Sequence, residues 1–271
     1  MKTVRATEYI ETMFQGRSRS QLVLASDGKK YVVKLVGNPQ GNRILANECV
    51  AAGLAEALGA PCVPSAIIEI DDEILSQINR KMQHLLPAEH LEFRPGLHFG
   101  SLYLGLGWPF PSRDPVQILP STVPLMSRTS NISTWPETLV FYALVQNEDP
   151  RHEHILVELE KASGASRYWL IDHGHCLGVG RGWRTLKADS VALREPIYPE
   201  LVRGHEPFRE ALERLGEMTA VSVEELLASC PLQEWEVSRE DQAALLRYIE
   251  AAKEKVRSLI SESRPRFSAW T

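Results

Sequence analysis

Two acidic residues, each next to a short apolar run, constrain this sequence more than any other feature. Asp149 begins a polar stretch that leads into the run 155–157, and Asp172 directly follows the run 168–171. The pattern predicts a loop, a strand, a turn, a second strand and then an acid. Phosphoryl transfer uses such a pair of carboxylates, one beside the acceptor hydroxyl and one on the metal ion that bridges the phosphates. The rest of the chain must then supply a cation and a loop for the phosphates.

A candidate cation lies at the end of a predicted hairpin. Residues 21–25 and 30–36 are β-prone, and the turn residues Ser26, Asp27 and Gly28 separate them. Strand alternation puts Lys34 on the same face as Val32, where a partly enclosed ammonium group requires a negative partner. A plain surface lysine is the alternative interpretation.

A helix predicted over 42–58 carries that partner. Its apolar residues recur at helical spacing, and Gly59 is a favourable helix stop. Glu48 lies within this helix, and a strand Lys paired with a helix Glu holds the α- and β-phosphates in kinases. A solvent-facing glutamate is the alternative.

The short polar segment before the hairpin is a candidate phosphate loop. Its backbone amides and two guanidinium groups are suited to phosphate oxygens. The residues are Gly16, Arg17, Ser18, Arg19 and Ser20. A solvated loop with two surface arginines is the alternative.

The remaining pattern predicts two lobes. Gly and Pro residues interrupt regular structure from 105 to 115, which predicts a hinge between an N-lobe, 1–105, and a C-lobe, 106–271. Strands are also predicted near 66–68 and 97–104. The C-lobe pattern is helical, with Pro136 in the first turn of one helix, a capping box from Ser222 to Glu225, and a buried stripe between 245 and 260.

Composition excludes several classes of protein. The 271 residues are 44% hydrophobic and 24% charged, with a net charge of -5, so no overall positive field would attract nucleic acid. No apolar run is long enough to span a membrane, and the N-terminus lacks the apolar stretch of a secretory signal. The four cysteines are far apart without a CxxC pair, which favours reduced thiols and a cytoplasmic location.

The order of these parts resembles the HipA-like kinases, a bacterial branch distantly similar to phosphoinositide-3/4-kinases and protein kinases. The matching pieces are GRSRSQLVLASDGKKYVVKL at 16–35, NECVAAGLAEALGAPCVP at 47–64, PGLHFGSLYL at 95–104, NEDPRHEHILVE at 147–158 and LIDHGH at 170–175. The resemblance implies an α+β, two-lobed protein-kinase-like fold that binds ATP and Mg²⁺ between its lobes. It also implies transfer of phosphate to a Ser or Thr hydroxyl on a protein, although a small-molecule or phosphoinositide acceptor stays open.

The resemblance assigns a role to each candidate residue. Lys34 would contact the ATP phosphates, Glu48 would pair with it, and the residues from Gly16 to Ser20 would cover the phosphates. Asp149 would be the catalytic base and Asp172 the metal ligand.

The sequence departs from the family pattern at one position. The pattern has an Asn as second metal ligand where this chain has His154, and Pro150 displaces the two residues that follow Asp149. Imidazole nitrogen prefers manganese, zinc and other transition metals to magnesium. Three interpretations of the sequence remain open: a kinase with one firmly held metal, a kinase adapted to Mn²⁺, and a nucleotide-binding pseudokinase.

A zinc-dependent hydrolase is the rival from another class. Four histidines form two His-x-His pairs, at 152 and 154 and at 173 and 175, with acidic residues beside them. Such pairs can chelate zinc from a strand. This reading leaves Lys34, Glu48 and the phosphate loop without a role.

Overall fold

The computed structural model describes residues 1–13, 17–89, 91, 93–104, 129–159, 166–178, 181–194 and 197–270. Its strands are β1 (Thr3–Thr12), β2 (Gln21–Ala25), β3 (Lys30–Lys34), β4 (Ser65–Ile70), β5 (Gly96–Leu102), β6 (Ile155–Leu159) and β7 (Ser166–Leu170). Its α-helices are α1 (Arg43–Leu58), α2 (Asp72–Leu85), α3 (Trp135–Leu144), α4 (Arg209–Glu217), α5 (Ala220–Ala228) and α6 (Arg239–Glu262). The predicted hinge at 105–115 lies outside the described residues.

The first five strands close into a barrel in the order β1-β2-β3-β5-β4. Neighbouring strands are antiparallel, except that β1 and β4 are parallel. The interior is apolar, with Val23, Val33, Ala66 and Ile68 fully buried, and α2 packs its apolar face against the same cluster. The predicted hairpin is confirmed as β2 and β3, and Gly28 in its turn has a φ of 74° that favours glycine.

Strand β1 was not predicted from the sequence. Its alternation is irregular because the pairing with β2 shifts register between Ala6 and Glu8 and again between Tyr9 and Glu11. Each shift moves a side chain to the other face, so a strict period of two does not appear.

Helix α1 lies at the centre of the molecule and is buried around most of its circumference. Eleven of its residues are buried, among them the polar Asn47 and Glu48. It packs against strand β5 and against α3, α4 and α5. Gly59 ends the helix as predicted, in the left-handed conformation that glycine adopts without strain.

The C-terminal part is helical around one hairpin. All ten residues of α3 are buried, and Pro136 occupies its first turn as predicted. The predicted stripe on α6 is confirmed by burial of Leu245, Ile249, Ala252, Val256 and Ile260. Strands β6 and β7 pair from Ile155 with Leu170 to Leu159 with Ser166, which confirms the two predicted strands, while the predicted turn between them lies outside the described residues.

The predicted capping box at Ser222 and Glu225 is wrong. The helix begins three residues earlier, and Thr219 caps it in a reciprocal pair with Ser222. Thr219 has the extended backbone that a cap requires, whereas Ser222 is already inside the helix.

The expectation of four reduced thiols is wrong for two of them. Cys49 of α1 forms a disulfide with Cys230, while Cys62 and Cys176 are free. The partners are 181 residues apart in sequence, and only the packing of α1 against the segment after α5 brings them together.

No helix among the described residues is both long and apolar enough to cross a bilayer.

Candidate active site

Lys34, the last residue of β3, joins the two halves of the site. Its Nζ donates hydrogen bonds to Glu48 Oε1 and, at 2.6 Å, to Asp172 Oδ1. Its side chain is only 12% exposed. Burial alone would lower the pKa of Lys34, but the charges of Glu48 and Asp172 outweigh burial and hold that pKa above its usual value. The ammonium group is therefore charged and held in place.

Glu48 connects Lys34 to the loop that follows β7. Its Oε2 accepts a hydrogen bond of 3.0 Å from the backbone N–H of His173. Burial raises the pKa of Glu48, and Lys34 opposes that shift. Since a buried carboxylate is costly without a partner, Lys34 and Glu48 depend on each other for stability.

Asp172 follows β7 in an unusual backbone conformation. Its φ is 60°, in the left-handed region that few non-glycine residues adopt. One carboxylate oxygen bonds Lys34, and the side chain remains 40% exposed. Partial burial opposes ionisation, but Lys34 prevails and holds the pKa of Asp172 well below its usual range. The result is an ionised carboxylate open to a ligand.

His154 lies beside Asp172, in the short turn that leads into β6. Its Nδ1 is 3.0 Å from the carbonyl oxygen of Asp149, so Nδ1 carries the proton and donates it there. In the neutral ring Nε2 then carries the lone pair, and it lies 3.7 Å from Asp172 Oδ2. With metal–ligand bonds of about 2.1 Å, two ligand atoms of one ion lie between about 3 and 4.2 Å apart, so the pair fits a shared cation. A backbone acceptor on the second imidazole nitrogen is also the usual arrangement of a metal-binding histidine.

Asp149 contacts His154 through its backbone carbonyl, and its carboxylate contacts Arg151 instead. Its carbonyl holds His154, and its N–H is held by Asn147 Oδ1 at 3.0 Å. Its side chain accepts a hydrogen bond of 2.5 Å from Nε of Arg151. A hydroxyl could reach Oδ1 of this carboxylate only by displacing or sharing Arg151.

The candidate phosphate loop enters β2 beside Lys34. Gln21 pairs with Val33, which places residues 17–20 at the Lys34 end of the hairpin. Ser18 and Ser20 are buried and their hydroxyls lie 3.0 Å apart, while the Gln21 amide donates to the carbonyl of Arg19. Arg17 is exposed, and Gly16 lies outside the described residues.

An apolar surface adjoins the phosphate loop on the Lys34 face of the sheet. Leu22 pairs with Val32, and Val32 pairs with Ser101. Directly opposed residues share a face, so these three side chains project toward the same side as Lys34. Leu22 is buried, whereas Val32 and Ser101 are partly exposed.

The second His-x-His pair, at 173 and 175, does not converge on one metal. His173 is buried against the Phe141 ring, with centroids 5.1 Å apart, and burial lowers its pKa to about 3. His175 contacts Gln40 instead. Among the described residues, no group of three or more His, Cys, Asp or Glu side chains is placed to hold a metal. The described residues therefore form no zinc centre of the kind that a zinc-dependent hydrolase requires.

Sequence reasoning missed Asn47. It immediately precedes Glu48 and is fully buried, and its side chain bonds the loop after Asp172. The available signal was a poor helix former in the middle of an apolar helix, where an amide must find partners.

Comparison with known proteins agrees with this geometry. The sequence profile of the HipA-like kinases matches residues 6–178, which include every candidate site residue. The chain belongs to the HipA-like kinase family. No curated protein matches the sequence closely enough to count as a relative.

Solved kinase structures share the fold of this HipA-like kinase. The Golgi casein kinase matches with a TM-score of 0.60 and 12% identity over 100% of this chain and 76% of that one. A second structure of the Golgi casein kinase, with Mn/ADP bound, has a TM-score of 0.58 and 12% identity over 96% of this chain and 74% of that one. The Helicobacter pylori proinflammatory kinase CtkA has a TM-score of 0.56 and 11% identity over 95% and 99%. At such identities the likeness shows the fold alone, and the predicted α+β, two-lobed kinase-like fold is confirmed.

Proposed function

We propose that this HipA-like kinase transfers the γ-phosphoryl group of ATP to a Ser or Thr hydroxyl on a protein. Family membership and the kinase fold support phosphotransferase activity in general. One observation carries the proposal: the Lys34 ammonium group is held between Glu48 and Asp172, with His154 Nε2 3.7 Å from the second Asp172 oxygen. Kinases require both the Lys–Glu pair and the metal-binding Asp in place.

Each part of the site has a role in this proposal. Lys34 contacts the α- and β-phosphates, and the loop from Gly16 to Ser20 covers them. Leu22, Val32 and Ser101 receive the base. The nucleotide binds between an N-lobe of residues 1–105 and a C-lobe of residues 106–271.

Asp172 and His154 would hold the divalent cation, which supplies positive charge against the phosphate oxygens. One carboxylate oxygen and one imidazole nitrogen form a mixed donor set. Nitrogen suits Mn²⁺ better than Mg²⁺, so we propose Mn²⁺ as the preferred ion and Mg²⁺ as a weaker one.

Asp149 acts as the base for the acceptor hydroxyl in this scheme. Its side chain is 27% exposed, so an acceptor can approach from solvent. Since Arg151 occupies the carboxylate in the free protein, productive binding includes a shift of Arg151.

ATP binding is tested first, by thermal shift with ATP and each metal. Lys34→Ala and Asp172→Asn remove the fixed cation and the metal ligand, so each should abolish the ATP-induced rise in Tm, because ligand stabilisation follows concentration relative to Kd. Lys30→Ala, at the exposed start of the same strand, is the matched control and should keep the rise. If both site variants respond to ATP as the parent does, the pocket is misassigned.

Chemistry is tested separately with Asp149→Asn. A base that touches only the acceptor contributes to the transition state more than to nucleotide affinity. The variant should keep the ATP-dependent Tm rise and lose autophosphorylation, followed by mass spectrometry. Equal phosphate incorporation in variant and parent would remove Asp149 from the mechanism.

A nucleotide-binding pseudokinase is the second candidate. Two observations favour it, the occupation of Asp149 by Arg151 and the replacement of the family Asn by His154. A parent protein that binds ATP with Mn²⁺ but transfers no phosphate to itself or to protein acceptors in either metal would establish this alternative.

A further inference from the structure

Asn47 is a buried amide whose hydrogen-bonding groups all meet partners from the C-terminal part of the chain. It is fully buried on α1. Its Nδ2 donates to the carbonyls of Gly174 at 3.0 Å and Cys176 at 2.7 Å. Its Oδ1 accepts from Nε1 of Trp183 at 2.8 Å. Both amide protons and the amide oxygen are thus engaged.

These bonds hold the loop that begins at Asp172. Glu48 holds the N–H of His173, and Asn47 holds the carbonyls of residues 174 and 176, so two consecutive helix residues fix three loop positions. The loop lies directly against α1, because a Cβ added at Gly174 would lie 2.6 Å from Cγ2 of Ile44. Space for a side chain at residue 174 is absent on the side of α1.

The hydrogen bonds that hold this loop also concern the backbone conformation of Asp172. Its φ of 60° is sparsely populated for a residue with a side chain. Such a conformation persists only where the surroundings determine it. The bonds from α1 to the following residues are among the contacts that hold it, together with the 3.0 Å hydrogen bond from the N–H of Ile171 to the carbonyl of His154 and the bond from Lys34 to the carboxylate.

We propose that Asn47 is a positioning residue for the metal site. This inference rests on the proposed function, in which Asp172 is the metal ligand. The described side-chain hydrogen bonds of Asn47 go to Gly174, Cys176 and Trp183, and not to Lys34, Asp172 or His154. Its amide holds the residue 174 and 176 carbonyls, and thereby keeps Asp172 in the conformation that lets it share a cation with His154. Removal of the amide should weaken metal binding and leave the transfer step intact once metal is bound.

The test is a titration of the purified protein with Mn²⁺ in the presence of ADP, with free Mn²⁺ followed by EPR. For Asn47→Ala the titration midpoint should rise about tenfold or more, the usual effect of losing support behind a metal ligand. Autophosphorylation with ATP at saturating Mn²⁺ should return close to the parent rate. Asn79→Ala is the matched control, since Asn79 is an asparagine on α2 whose side chain bonds both backbone groups of Phe93, and its midpoint should not move.

A purely structural role gives a different result. Asn47→Ala would then lower the folded fraction and the number of sites without shifting the midpoint, and that outcome overturns the inference. If Asn47→Ala does not fold, Gly174→Ala crowds the loop against Ile44 of α1 while the Asn47 side chain itself is kept, and it should raise the midpoint in the same way; an unchanged midpoint overturns the inference. If the parent protein binds no Mn²⁺ in the presence of ADP, the proposed function is overturned as well. If the parent binds Mn²⁺ and Asn47→Ala binds it with the same midpoint, only the role of Asn47 is overturned.

Discussion

A single backbone carbonyl determines what His154 can do. Because the Asp149 carbonyl accepts from Nδ1, the lone pair of Nε2 lies on the side of Asp172. The opposite tautomer would put a proton where a cation should bind. The proposed function uses this lone pair as a ligand, so in that scheme the change from Asn to His alters the donor atom and keeps the metal site.

His154→Asn should reverse the metal preference. An amide oxygen is a hard ligand that suits Mg²⁺, whereas the parent's imidazole favours Mn²⁺. We expect Mg²⁺-dependent ATP hydrolysis and autophosphorylation to rise in the variant and the advantage of Mn²⁺ to shrink. Both activities are measured over a range of each metal in parent and variant. Identical metal profiles would show that His154 is no ligand.

His98 gives a pH-dependent contribution to folding stability. It is buried on β5, its Nδ1 accepts from the N–H of Val36, and burial lowers its pKa to about 3. The unfolded chain takes up this proton near pH 6.5 and the folded chain does not, so stability is full above pH 6.5 and falls as the pH drops from there toward 3.

His98→Leu should remove that dependence. Between pH 7 and pH 5 the free energy of unfolding of the parent should fall by about 2 kcal/mol more than that of the variant. Urea unfolding at pH 7, 6 and 5 measures the difference. The variant is expected to be less stable at pH 7, because the N–H of Val36 loses its acceptor, so the comparison concerns the slope with pH and not the absolute value. Parallel slopes would mean that the pKa of His98 is the same in the folded and the unfolded chain.

At the level of elements, α1 shows what the sequence could and could not predict. The helix, its glycine stop and the pairing of Glu48 with Lys34 follow from local pattern and from the order of parts, and the structure contains all three. The partners of Asn47 and Cys49 do not follow, because they lie more than a hundred residues away and depend on how α1 packs. Local pattern records that a residue is buried, but not which residue it meets.

The same limit applies to the other elements. Strands β2 and β3 were predicted because their turn is local and their alternation is regular. Strand β1 was missed because two register shifts hide its alternation. The contact between His154 and Asp172 joins the ends of two adjacent strands, and the sequence identified both residues without giving the imidazole its orientation.

For the whole molecule, the disulfide is the covalent link between distant parts of the described chain. It closes 181 residues of sequence and fastens the central helix to the C-terminal part. A cross-link over such a long loop removes many conformations from the unfolded chain, so its effect should appear in global stability.

Loss of the disulfide should lower the free energy of unfolding by about 2–5 kcal/mol. The variant is the double change Cys49→Ser with Cys230→Ser, measured by urea unfolding with and without a dithiol reductant. Reductant should destabilise the parent and leave the double variant unchanged. Cys62→Ser, at a free thiol, is the control and should respond to reductant as the parent does. A parent that is indifferent to reductant would show that the two thiols are not joined in solution.

The burial of α1 has a consequence for the newly made chain. The helix is complete by Leu58, but it packs against α3, α4 and α5, and the last of these ends at Ala228. At about 5–20 residues per second, the ribosome needs roughly 10–35 s to synthesise the 181 residues between Cys49 and Cys230. During that interval an apolar helix without its partners is open to wrong contacts. The early barrel can close around its own core, whereas the helix that carries Glu48 must wait for the end of translation.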